Sequence, residues 1–452
     1  MSTAVGTMRQ SVVAQEVPMA PARYTGITPV STAAWHGLAW LVIANLIGVW
    51  LAFLLLVPSA GALAHSWSYG RWMPVHLDLQ LYGWISLPLV AWLMGVYRAD
   101  RGGMARWSNA AIWLWSAALA IGCVSWLNGG SSGKLFLDWT GYSRVFFPLA
   151  ILFLWGVFAV AFSRSVRRAE VSSRAGVLLR GAGLLLLFCI PIAIYAASNP
   201  NIYPPVNPDS GGPTASSQLE SVLVIVLILF LLPYGITKRN RKSPRWVFTG
   251  WVLFVVEALL CLGLGRGDIS HHRPTQFLSL GSLLVWVPLM PAYYNAFAWP
   301  EYTRAWRLAV LWWWALLIPT GWSLFLPGVL DHMKFTDGLV SHSLLAMAGF
   351  VTNLLILSLV MLLGEESDAF SSRWAFLAWQ GGTFLYVLLM LGAGWIEGND
   401  PTFTVVPSTA RNVLYLLRLV LGAAMALASA NWLYRLTRAI SARSARTRLS
   451  LP

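Results

Sequence analysis

Charge is what this 452-residue chain has least of. Asp, Glu, Lys and Arg make up only 11% of it, against about 25% in soluble domains. Too few polar side chains are present to cover a water-facing surface, which excludes a soluble enzyme, a disordered chain and a nucleic-acid-binding protein. Cysteine is also scarce. Cys123, Cys189 and Cys261 lie in separate apolar stretches, without CxxC or CxxCH, so no disulfide framework is expected. A cleavable leader is not visible either. The first 35 residues are polar and rich in Pro and Ala, which leaves targeting to the first apolar stretch.

Apolar residues are abundant, at 57% of the chain with a mean hydropathy of +0.64. A helix needs about 20 of them to cross the hydrocarbon. Twelve such stretches occur, at about 36–57, 76–97, 108–127, 143–163, 175–196, 217–236, 246–265, 277–299, 305–327, 337–363, 372–395 and 409–434. They are uniformly apolar rather than alternating, so they read as helices and not barrel strands. The expected fold is all-α: a polytopic membrane protein of twelve transmembrane helices. A polar tail (1–35) precedes the membrane domain (36–434), and a basic tail (435–452) follows it.

The net charge of +14 is distributed by topology. With twelve spans, 23 of the 31 Lys and Arg residues fall on the face that holds both termini. Seven fall on the other: Arg71, Lys134, Arg144, Arg266, Arg273, Lys334 and Arg411. Arg418 lies within the last span. The basic excess therefore marks the cytoplasmic side, with both termini there, and attracts anionic lipid at most. No internal repeat is evident by eye.

Ionisable groups at membrane depth are costly and therefore candidates for function. Six of the seven histidines (His65, His76, His271, His272, His332 and His342) fall on the outer side, with only His36 on the inner. His76 opens the second span in HLDLQLYGW, among Asp78, Gln80 and Tyr82. It reads either as an axial haem ligand or as an interfacial histidine beside Trp72. His342 sits in FTDGLVSHSLLAMAGF among small residues (Gly338, Ser341, Ser343, Ala346 and Ala348). These admit either a flat macrocycle or a neighbouring helix. The adjacent His271 and His272, in SHHRPTQ, have the chemistry of copper ligands, but a loop pair before a proline is more often a solvated turn. Glu257, in FVVEALL, is the mid-span carboxylate and a proton-relay candidate, with Glu220 at the opening of the sixth span as a second. Arg144, Arg266, Arg411 and Arg418 are each either partners for an anionic group or interfacial anchors.

The histidine before LQLYGW and the segment KFTDGLVSHSLLAMAGF resemble the second and tenth spans of the haem–copper oxidase subunit I superfamily. The likeness is to divergent bacterial members with cbb-type oxidase and nitric oxide reductase affinities. YPPVNPDSGGPT and HHRPTQFLSLGSLLVWVPLMP look like the same group, and the resemblance covers most of residues 36–434. It implies a bacterial inner-membrane protein with a subunit I-like bundle, in which His76 matches the low-spin haem ligand. His342 matches the first histidine of the family's His-x-His, the high-spin haem ligand. With a haem in place, the anionic partners open to Arg144, Arg266, Arg411 and Arg418 include its propionates. The departures are as informative. Leu344 stands where the second histidine belongs, and the sixth span opens with Gln218, Leu219 and Glu220 instead of the family's His-Pro-Glu-Val-Tyr. His271 and His272 fall several residues too late for the copper pair.

The expectation is a cytochrome c oxidase subunit I-like haem-binding subunit for respiratory electron transfer, with degenerate low-spin haem and copper sites. It would hold one or two b-type haems and take electrons from a periplasmic cytochrome c or a cytochrome c-containing subunit. Two alternatives stand beside it. One is an active oxygen or nitric oxide reductase with a rearranged metal site using Glu220, Glu257 or the vicinal histidines. The other is a haem-free scaffold or assembly subunit.

Overall fold

The computed structural model describes residues 27–170, 173–205, 219–240, 244–264 and 274–449. Among them the structure is helical, with a single isolated bridge between Arg239 and Phe297 as its extended pairing. In chain order the apolar helices are α1 (Pro29–Leu56), α2 (Tyr69–Tyr97), α3 (Gly102–Leu127), α4 (Ser143–Arg167), α5 (Arg174–Ala197) and α6 (Leu219–Ile236). They continue with α7 (Pro244–Leu264), α8 (Leu278–Tyr294), α9 (Arg304–Ser323), α10 (Asp337–Leu362), α11 (Arg373–Asn399) and α12 (Thr409–Leu449).

Nine helices among the described residues are long and apolar enough to cross a bilayer. Of the stretches expected to span, α6 and α8 are the short ones. In α9, Arg304, Arg307 and the run Trp312–Trp314 dilute the apolar sequence. The chain is thus a multi-pass helical membrane protein.

Several boundaries differ from the apolar windows, and at two of them the local reason is plain. α1 begins at Pro29 because Thr28 Oγ1 accepts the Ser31 backbone N–H at 3.1 Å and proline occupies the first helical position, a favourable N-terminus. At the other end α12 runs for 41 residues, so positions 435–449 of the basic tail continue the last apolar helix. Ala, Leu and Arg are good helix formers and sustain the helix beyond its apolar part.

The buried carboxylate of Glu366, in the turn after α10, ties three segments together. It accepts the Ser31 hydroxyl, and Arg443 Nη1 lies 3.0 Å from its other oxygen. Arg435 reaches Asp368 at 2.7 Å in the same turn. The start of α1 and the extension of α12 therefore share one end of the bundle. α1 packs along α12 and also against α2 and α3, which places it beside His76.

Candidate functional site

His76 lies two turns into α2 with its ring against α1. Its Nδ1 is 2.7 Å from the Ala44 carbonyl oxygen. A carbonyl only accepts, so Nδ1 carries the proton and Nε2 keeps its lone pair. Gly48, one turn further along α1, makes room for the ring: a methyl group there would stand 2.7 Å from Cε1.

His342 repeats the arrangement on α10 against α9. A methyl group at Gly321 would stand 2.9 Å from its Cε1. Its Nδ1 is buried without a hydrogen-bond partner.

The likeness extends through both neighbourhoods. Three residues past each histidine the helix widens into a π turn, Leu79–Ile85 in α2 and Leu345–Val351 in α10. Such turns disturb the regular backbone ladder and are frequent at functional sites. At matching positions a hydroxyl adds a second bond to a carbonyl that already accepts the backbone N–H five residues on. Ser86 donates to the Leu81 carbonyl and Thr352 to that of Met347, both at 2.9 Å. The following helices contribute an indole each: Trp115 of α3 donates to the Tyr82 carbonyl at 2.8 Å, and Trp379 of α11 to that of Ala348 at 3.0 Å.

The preceding helices match as well. Trp40 packs on Gly83 and Trp313 on Gly349, so closely that a methyl group at either glycine would be 2.5 Å from the tryptophan. The Trp40 indole donates to Ser116 at 3.0 Å and that of Trp313 to Gln380 at 2.6 Å. Thus α1–α2–α3 and α9–α10–α11 are two copies of one three-helix unit, in register, with His76 and His342 at the matching position of each. The sequence carries only Trp-x7-Gly followed by His-x6-Gly-aromatic, too sparse to be noticed without the contacts.

A polar cluster lies at the N-terminal ends of the two histidine helices. Arg418 Nη1 is 2.9 Å from Asp337 Oδ2 and its Nε is 3.4 Å from the Tyr386 hydroxyl. Glu397 accepts the Asp337 backbone N–H at 2.6 Å. Tyr69, at the start of α2, lies within electrostatic reach of both Arg418 and Asp337. Neither Asp337 nor Glu397 is a sequence candidate: Asp337 opens α10 and looks like an ordinary cap, and Glu397 lies in the last turn of α11.

The other candidates are spread out. Arg144 donates to the Tyr195 carbonyl at 2.6 and 2.9 Å and covers its ring, while Arg411 lies over Tyr415. Glu257 is buried and accepts from Ser282 at 2.7 Å and from the Trp286 indole. His36 bonds Ser116 at 2.7 Å, His332 stands 3.1 Å from the Trp395 carbonyl, and His65 is exposed. His271, His272 and Arg266 lie outside the described residues, as does the side chain of Glu220.

Asp78, two residues past His76, is fully buried, and its carboxylate faces the Asp138 backbone. It lies within electrostatic reach of Asp138 in the α3–α4 loop. Asp138 Oδ1 accepts from Ser131 at 2.6 Å and from the backbone N–H groups of Ser132 and Gly133 at 3.0 Å. Burial nevertheless pushes its carboxyl above the ordinary range, because desolvation outweighs those bonds. Among the described residues no three His, Cys, Asp or Glu side chains converge on one point. A comparison with known proteins finds no family model that matches the chain and no matching curated protein.

Proposed function

We propose that the chain is a haem-binding subunit for respiratory electron transfer, built as a twelve-span bundle like subunit I of the haem–copper oxidases. It would lie in a bacterial inner membrane with both termini cytoplasmic, hold one or two b-type haems, and receive electrons from a periplasmic cytochrome c. The observation that carries this reading is the state of the His76 ring. A carbonyl fixes Nδ1–H, a glycine gives the ring its place, and Nε2 remains available, the arrangement that an iron-ligating imidazole requires. His342 supports it with the same glycine-backed position.

Haem, when bound, supplies a one-electron iron couple. The protein's part is to hold and tune it. Ala44 orients the His76 imidazole, and a π turn begins three residues past each histidine. Arg418 is already paired with Asp337, so an anionic group arriving there would share its guanidinium. Arg411, with Nε unpartnered, has more donor capacity free.

The test is a reduced-minus-oxidised spectrum of the detergent-purified protein, with a pyridine haemochrome and metal analysis. The expected result is one or two b-type haems, lost in part or whole in His76→Ala and His342→Ala. A colourless wild-type protein overturns the reading in favour of a scaffold subunit. Two haems with one copper and turnover would instead restore a terminal reductase.

A further inference from the structure

The two three-helix units differ where they meet. Position eight after the histidine is Trp84 in the first and Phe350 in the second, and position ten is Ser86 in the first and Thr352 in the second. These departures pair with each other. The Trp84 indole N–H donates to Thr352 Oγ1 at 2.9 Å, and both side chains are buried. The Thr352 hydroxyl in turn donates to the Met347 carbonyl inside the second π turn. One hydroxyl therefore accepts from the π turn behind His76 and donates within the π turn behind His342.

We infer that Trp84 and Thr352 are positioning residues that lock the two units together, so that the π turns of α2 and α10, and with them His76 and His342, are set in register as a coupled pair. Three observations support this. Trp84 is the first-unit residue whose counterpart, Phe350, has no N–H to give. Ser86 makes the same intrahelical bond as Thr352, at the same 2.9 Å, yet no indole bond to its hydroxyl is seen. Both joined segments are π turns, which depart from the regular α ladder, so a bond between them ties the backbone of one to that of the other.

The consequence for ligand binding rests on the haem reading above, but the coupling itself does not. Hydrogen–deuterium exchange of the purified full chain, measured without added haem, tests it directly. Trp84→Phe, which copies the natural second-unit residue and so should fold, is expected to speed exchange about threefold or more in both segments 79–85 and 345–351. Thr352→Val should do the same, and Thr352→Ser should restore wild-type rates. Ser86→Ala should affect 79–85 alone. If Trp84→Phe accelerates only the first segment, or neither, the coupling is overturned.

A second readout applies when wild-type protein carries haem: Trp84→Phe should alter the electron paramagnetic resonance signals of both ligation sites, whereas a change confined to one overturns joint positioning. A haem-free wild type would sink the proposed function and leave the exchange result to decide the coupling.

Discussion

Arg418 and Asp337 form an ion pair of 2.9 Å, with side-chain exposures of 13% and 14%, joining α12 to the start of the helix that carries His342. Because water is largely excluded, either charge alone would be left without adequate solvation. Arg418→Ala or Asp337→Asn should lower stability by about 3 kcal/mol, read as a lower Tm in detergent. The double variant Arg418→Met/Asp337→Leu should recover much of the loss, since no isolated charge remains. A double variant as unstable as both singles added together would show that the groups act independently.

Gly48 and Gly321 back the rings of His76 and His342. Adding a methyl group at either forces the imidazole to shift, since the contacts would be 2.7 and 2.9 Å. Gly48→Ala and Gly321→Ala should each reduce haem retention or alter its spectrum, while Gly95→Ala, where a methyl group meets nothing within 4 Å, should not. Unchanged spectra in both variants would mean that the rings have slack.

The Glu366 carboxylate links Ser31 and Arg443 across the terminal end of the bundle. Arg443 is 42% exposed, so solvent screens its charge and its removal should cost at most about 1 kcal/mol. Glu366→Ala should cost more, about 1–3 kcal/mol, because it also removes the buried carboxylate that Ser31 donates to and leaves that hydroxyl with Thr28 Oγ1 alone. Limited proteolysis should then cut the α12 extension sooner in both variants, and equal resistance to cleavage would argue against the staple.

Asp138 gives a pH dependence whose sign follows from its burial. Its carboxyl is held above the ordinary value in the fold, so the ionised form is less favourable there than in the unfolded chain. Its contribution is greatest at low pH and declines as pH rises above about 4, until the folded group is itself ionised. Asp138→Asn should flatten that part of the profile of Tm against pH in detergent. If the variant keeps the wild-type slope, another group is responsible.

The apolar runs alone determined that the chain is helical and membrane-embedded, because hydrocarbon leaves an unbonded backbone no alternative. His76 and His342 stood out for the same reason: polar rings are costly there. What the sequence could not display is what surrounds them. Gly48 and Ala44 meet His76 only because α1 packs against α2, and the ion pair of Arg418 joins positions 81 residues apart. The duplicated unit stayed hidden because its likeness lies in contacts: Ser116 and Gln380 share one role with different side chains, as do Ser86 and Thr352. Local pattern fixes which segments become helices, since that depends on neighbours along the chain. Which faces meet depends on side-chain shape and hydrogen bonding between distant segments, and only the tertiary structure decides it.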